Sequence, residues 1–361
     1  MNPFNPEMLI LAREARGLTQ KQVAESIGTQ QGTISKIEAG LAAPADSILE
    51  KIAESLDYPI EFFYQQDRVF GFNSAVFFHR KRQALPDRIL RKIHAFMNIT
   101  RMRVARLLRS SEVSTVSAFQ RIELTDYAGS ATDSSGSAEE VARLMRAAWM
   151  IPHGAIRNVT ELIESAGGIV IRMNFGTRQA DAVSEWVPGY PPIFLVNGDA
   201  GIPGDRLRLT LAHEIAHVLL HRYPNPDMEH EANEFAAEFL MPRKEIKASL
   251  YSLTLAKLVQ LKRIWKVSMA ALVQRAFELG TITDAQRRYL YINMAKRGYR
   301  TREPIEADVP LESPTLVAKM VRAHVEKLGY TEGQLMSLLY MRDPAELKSV
   351  YLGENVLQLV G

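Results

Sequence analysis

Two histidines four residues apart, His213 and His217, with Glu214 directly after the first, stand in the run RLTLAHEIAHVLLHRY. On an α-helix that spacing puts both imidazoles on one face, one turn apart, so the pattern commits this stretch to a helix. Glu214 projects beside them, placed to take a proton from a water held by a metal ion. The pattern is short, and a buried helix with two paired histidines reads the same way. Downstream, EHEANEFAAEFLMP from Glu229 to Pro242 forms a second helical pattern, with Ala232, Phe235, Ala236, Phe239 and Leu240 toward a core. It offers Glu229 and, at i+4, Asn233: one carboxylate for a metal and one polar group to hold a histidine ring. Glu231 is the rival carboxylate. Two histidines and one glutamate leave a fourth tetrahedral position for water, the arrangement of a catalytic zinc. His221, His230 and Tyr223 lie near in sequence but read more readily as surface residues than as catalytic ones.

A second pattern lies at the N-terminus, in LTQKQVAESIGTQQGTISKIEAG from Leu18 to Gly40. Thr19 is a good N-cap for a helix from Gln20 to Ile27 with Val23, Ala24 and Ile27 on one face. Gly28 can take the left-handed conformation that ends it, and Thr29 or Gln30 can cap the next helix. That helix turns Ile34 and Ile37 inward and Gln31, Thr33 and Lys36 outward. Two helices joined by a short glycine-containing turn are the helix-turn-helix pattern. Glutamine amides at the start of its second helix suit base edges, since Gln can bond adenine at two points. Gln20, Gln30, Gln31, Thr33 and Lys36 are the candidate contacts to a double-stranded operator; a helical bundle used for protein contacts is the alternative. The segment resembles the Cro/C1-type repressor domain over about 60 residues, through T-Q-x-x-x-A-x-x-x-G and the I-E-x-G ending at Ile37–Gly40. The resemblance implies a five-helix DNA-binding domain, often a homodimer.

The rest of the chain divides around these two patterns. Residues 1–66 are the helix-turn-helix domain, 67–136 a helical connector and linker, 137–250 the metal-site domain and 251–361 a helical C-terminal region. The connector opens with aromatic and basic residues that include FHRKR at 78–82, either a phosphate grip or a solvated turn. It continues as an amphipathic helix from about Pro86 to Leu108 and ends in the polar run GSATDSSGS. Ser137 with Glu140 makes a capping box for the next helix. Three strand-like runs follow, GGIVIRMN, ADAVSEWV and PPIFLVN. Leu255 to Gly280 again reads helix, turn, helix, with Ser268 as N-cap: a second DNA-binding unit, or packing against the metal-site domain.

Composition narrows the setting. The chain has no cysteine, which excludes disulfides and any zinc site built on thiolates and fits a reducing cytoplasm. Residues 1–110 carry 16 Lys/Arg against 11 Asp/Glu, a surplus of five in a chain of net charge +3, as nucleic-acid binding at one end produces. No run reaches the roughly 18 apolar residues of a membrane span. Glu7, Arg13 and Glu14 interrupt the first segment where a signal peptide needs an apolar core. The expectation is a cytoplasmic protein with no membrane partner.

The central region also resembles a known family. W-x-x-P-x-G-x-I at Trp149–Ile156, A-G-G at 166–168, P-P-I-F-x-x-N at 191–197, T-L-A-H-E-x-A-H and E-x-x-A-N-x-F-A-A-x-x-L-M-P are similar to the ImmA/IrrE metallopeptidases. With L-x-x-L-K-x-x-W-x-V-S-M at Leu258–Met269 the likeness spans about residues 138–300. It implies a compact α+β zincin holding Zn2+ on His213, His217 and Glu229, with Glu214 as general base. It also implies a substrate that is itself a DNA-bound repressor. Asn233 departs from the aspartate that related zincins often carry, so a negative charge is missing beside the histidine there. The expected fold is therefore mainly α with a small β-sheet: an N-terminal helix-turn-helix bundle, a central zincin and a helical C-terminal region. The expected function is a DNA-binding transcription regulator with a zinc endopeptidase domain. Alternatives are a transcription factor whose zincin domain senses a ligand and cuts nothing, or the antitoxin-like half of a two-gene module.

Overall fold

The computed structural model describes residues 3–71, 85–110, 117–122, 137–198 and 201–353. The basic FHRKR run and the polar stretch 129–136 lie outside the described residues. Four helices open the chain: α1 (Pro6–Ala15), α2 (Gln20–Ser26), α3 (Gln31–Glu38) and α4 (Asp46–Leu56), followed by a 3-10 turn at Ile60–Tyr64. Thr19 and Gln22 form a capping box at the start of α2, and Gly28 leaves it at φ +70°, as their residue types dictate. Gln30 takes the cap position of α3 without a side-chain bond. Met8, Leu9, Val23, Ile34, Ile37, Ile52 and Phe63 close the core of this bundle.

Helix α5 (Asp87–Ser110) is 24 residues long and is shared between two cores. Ala95, Ile99 and Met102 complete the N-terminal bundle. Leu90, Ile93, Met97, Val104 and Leu107 pack against the sheet and the C-terminal helices. The connector is thus a structural wall common to both halves, with its polar residues Asn98, Arg101 and Arg103 buried as well.

After α6 (Ser137–Ala148) and α7 (Val159–Ser165) come three strands, β1 (Ile169–Met173), β2 (Ala182–Glu185) and β3 (Ile193–Asn197). Their order is β1-β3-β2, with β1 parallel and β2 antiparallel to β3, so β2 is an edge strand. The two-residue period of a strand sends Ile169, Ile171, Ile193 and Leu195 toward α5 and Val170, Phe194 and Val196 toward the opposite core. That core is built by α8 (Gly204–Leu220) and α9 (Met228–Leu240), followed by a short turn of helix at Arg243–Ile246. The result is three layers, α5, sheet and α8–α9, with both sheet faces covered. Fully burying one Leu or Ile contributes about 1.5–3 kcal/mol, and α8 alone buries Leu211, Ile215 and Leu219.

The chain ends in α10 (Leu255–Trp265), α11 (Met269–Glu278), α12 (Asp284–Lys296), α13 (Leu316–Glu326) and α14 (Glu332–Leu338), then turns at Pro344–Glu346 and Leu347–Tyr351. Ser268 caps α11 as its position suggests. Leu258, Leu261, Leu272 and Val273 of α10 and α11 belong to the core around α8 and α9, so this second helix-turn-helix-like pair packs on the central domain. Residues 308–315 are non-helical and cross the start of α8. A Cβ at Gly204 would collide with the carbonyls of Val309 and Pro310, so only glycine fits there. Glu312 from this crossing accepts from the Thr160 amide at 2.8 Å and pairs with buried Arg208, anchoring the first half of α8.

Candidate metal centre and nucleic-acid interface

Helix α8 presents His213 and His217 one turn apart, and the start of α9 brings Glu229 against both. The His213 and His217 Nε2 atoms are 2.9 Å apart, Glu229 Oε1 is 3.1 Å from His217 Nε2, and Glu229 Oε2 is 3.4 Å from His213 Nε2. Tetrahedral ligands at about 2.0–2.1 Å from an ion stand about 3.3–3.4 Å from one another. The three donors match that spacing within a few tenths of an ångström, and among the described residues they form the one His/Cys/Asp/Glu group able to hold a metal.

The outer ring nitrogens are also engaged. His213 Nδ1 lies 3.0 Å from Asn233 Oδ1, which can only accept, so Nδ1 carries the proton and Nε2 keeps its lone pair for the donor cluster. His217 Nδ1 lies 2.9 Å from His221 Nδ1, and His221 Nε2 lies 2.9 Å from Glu231 Oε2. Glu231 therefore stands apart from the cluster, one histidine removed. His221 is buried rather than superficial, and burial together with the neighbouring His217 and His213 pushes it down to about 3. Tyr223 is exposed, and His230 pairs with Glu234 on the surface at 3.3 Å.

Glu214 is fully buried and held from the edge strand of the sheet. The Ser184 hydroxyl on β2 donates to Glu214 Oε2 at 2.7 Å. The next residue of β2, Glu185, points to the other face and forms a buried ion pair with Arg101 of α5. One edge strand thus touches the central helix through one side chain and the connector helix through the next. A cleft of about 560 Å³ opens beside it, lined by Ser184, Trp186, His217, His221, Phe70 and Arg121. Residue spacing within α8 reaches the histidines and Glu214. It does not reach Ser184, which the strand register brings from 30 residues away.

At the N-terminus, Gln31, Thr33 and Lys36 lie on the exposed side of α3, and Gln30 is exposed just before it. Gln31 Nε2 donates to Gln20 Oε1 at 2.8 Å, and Gln20 Nε2 donates to Glu38 Oε2 at 2.8 Å. Glu38 is in turn gripped by Arg13, with contacts of 2.6 and 2.9 Å. A chain of four side chains therefore fixes the first amide of the exposed helix. Arg13 and Glu38 are the members that periodicity alone does not identify, since both occupy core-facing positions.

Comparison with known proteins agrees with both halves. Residues 9–63 match a helix-turn-helix family model, and residues 164–277 match a peptidase family model described as the IrrE N-terminal-like domain. The chain is also 35% identical over 57 residues to vegetative-specific protein H7 of Dictyostelium discoideum, which covers 16% of this chain and 55% of that protein. It thus spans about half the length of that relative. No helix among the described residues is long and apolar enough to cross a membrane. The chain thus resembles helix-turn-helix domains at its N-terminus and, in its centre, the IrrE N-terminal-like domain of a peptidase family.

Proposed function

We propose that this chain is a transcription regulator whose central domain is a zinc-dependent endopeptidase acting on another DNA-binding protein, a repressor. The observation that carries the reading is the meeting of His213, His217 and Glu229 donors within 3.4 Å, with Glu214 on the same helix. Two nitrogens and one carboxylate suit zinc and leave a position open for substrate or water. Zinc, when bound, polarises a scissile carbonyl and lowers the pKa of its water to about 7. The protein's own part is to hold and move the proton. Glu214 takes it and passes it to the leaving amine, while Ser184 fixes the orientation of the carboxylate. The cleft along β2 admits an extended peptide, and exposed Gln31 and Lys36 carry the protein to its operator.

Metal analysis tests the ligand set. Wild-type chain is expected to hold one zinc, and His213→Ala, His217→Ala or Glu229→Gln should lower that occupancy. Full occupancy in Glu229→Gln would remove Glu229 from the set. A second reading, a ligand-sensing transcription factor that cuts nothing, is favoured by one feature: α5 belongs to the cores of both halves, so a change at β2 has a rigid route to the reader. Glu214→Gln separates the two, since a sensor regulates normally without a general base.

A further inference from the structure

The two histidines of the metal centre are held in different ways. His213 rests on a neutral amide, Asn233, at 3.0 Å. His217 rests on a second histidine that rests on a carboxylate, through two contacts of 2.9 Å each. We infer that His221 and Glu231 are positioning residues for the metal centre: a hydrogen-bond relay that fixes the tautomer of His217 and brings the Glu231 charge to it. The inference rests on the reading of His213, His217 and Glu229 as metal ligands.

The direction of the relay follows from what each atom can do. A carboxylate only accepts, so His221 Nε2 carries a proton and donates it to Glu231. A neutral imidazole with Nε2–H has a bare Nδ1, which accepts from His217 Nδ1–H. His217 is left with its lone pair on Nε2, the atom that faces His213 and Glu229. Every proton in the chain is placed by the one beyond it. The relay is also sheltered, because the His221 side chain is fully buried and Glu231 is mostly covered. Water cannot replace the acceptor that His217 needs. Asn225 Nδ2 lies 3.4 Å from the same Glu231 oxygen, a weaker contact that restrains the carboxylate. The arrangement answers the sequence departure at Asn233. The negative charge absent beside His213 is supplied beside His217, ten residues beyond His221 in the chain.

Leucine and asparagine have nearly the same shape, and only asparagine offers an acceptor where Nδ1 stood. In the full-length chain, zinc affinity is measured by competition with a chromophoric chelator, and cobalt substitution gives the visible spectrum of the site. His221→Leu is expected to bind zinc 10- to 100-fold more weakly, the usual loss for an outer partner of a ligating histidine. Its cobalt bands should shift. His221→Asn should recover most of the affinity and the wild-type bands. Glu231→Gln should still take one zinc per chain at saturation but with several-fold lower affinity, which distinguishes a relay member from a ligand. Equal affinities for the Leu and Asn variants, whether both reduced or both normal, would overturn the relay, as would wild-type affinity in Glu231→Gln. Should His221→Leu fail to fold, the Glu231→Gln and His221→Asn measurements decide alone, a wild-type cobalt spectrum and affinity in Glu231→Gln overturning the relay. Absence of zinc and cobalt binding by the wild-type chain would instead remove the metal reading itself.

Discussion

A single side chain shows how far local spacing reaches in this protein. His213, His217 and Glu214 are placed by helix geometry alone, because three and four residues along a helix return to one face. Glu229 against Glu231 is not decided by that rule, since both sit in the first turn of α9 and the tilt of α9 on α8 chooses between them. The fold puts Glu229 at the histidine pair and Glu231 at His221. His221 itself ends α8, where a histidine is exposed or buried according to what the following chain lays over it. On the DNA side, the Arg13–Glu38–Gln20–Gln31 chain gives Gln31 a fixed geometry, so Gln31→Ala should cost about 1–3 kcal/mol at one base position and relax specificity there. Lys36→Ala should weaken binding evenly across sequences if its partner is a phosphate. Binding titrations of the full-length chain against single-base operator variants at matched salt check both. Equal loss on every variant for Gln31→Ala would contradict a base contact.

Among the elements, α5 departs most from its sequence pattern. Its periodicity gives a helix from about Pro86 to Leu108, close to the observed Asp87–Ser110, with an apolar stripe and a polar face. A polar face reads as solvent-exposed, yet Arg101 and Arg103 are buried, one against Glu185 and the other against the Leu339 carbonyl at 3.0 Å. Partners 84 and 236 residues away carry no local signal. A buried ion pair costs most when broken on one side, because the remaining charge loses its partner in a medium that solvates it poorly. Arg101→Met should therefore destabilise the protein by about 3–5 kcal/mol. Adding Glu185→Leu should recover most of that loss, since an apolar pair of similar volume has no charge to strand. Urea midpoints of the two variants and the wild type test this. A double variant less stable than the single one would contradict it. The strands behave the other way: all three were legible as short strand-like runs, but not their order, which depends on pairing across 24 residues between β1 and β3.

Across the whole molecule, the two functional halves were each legible and their union was not. The helix-turn-helix pattern and the H-E-x-x-H helix are each carried by residue spacing within their own segments. The join rests on Ala95, Ile99 and Met102 filling the N-terminal core from outside residues 1–66. A fragment ending at residue 66 leaves that apolar surface open and should melt well below a fragment ending at residue 110, by calorimetry of both. Equal melting would mean that α5 adds nothing to the reader. The central claim, that the centre of this chain cuts another protein, is tested most directly by mapping new protein N-termini in cells expressing the wild type or Glu214→Gln. The variant keeps the shape and the Ser184 hydrogen bond but loses the base, which should slow cleavage about 10²–10⁴-fold. A peptidase predicts a new terminus within a DNA-binding protein in wild-type cells that is missing with Glu214→Gln, at equal zinc content and equal operator binding. Identical termini in the two, with target genes still switching normally, would contradict it.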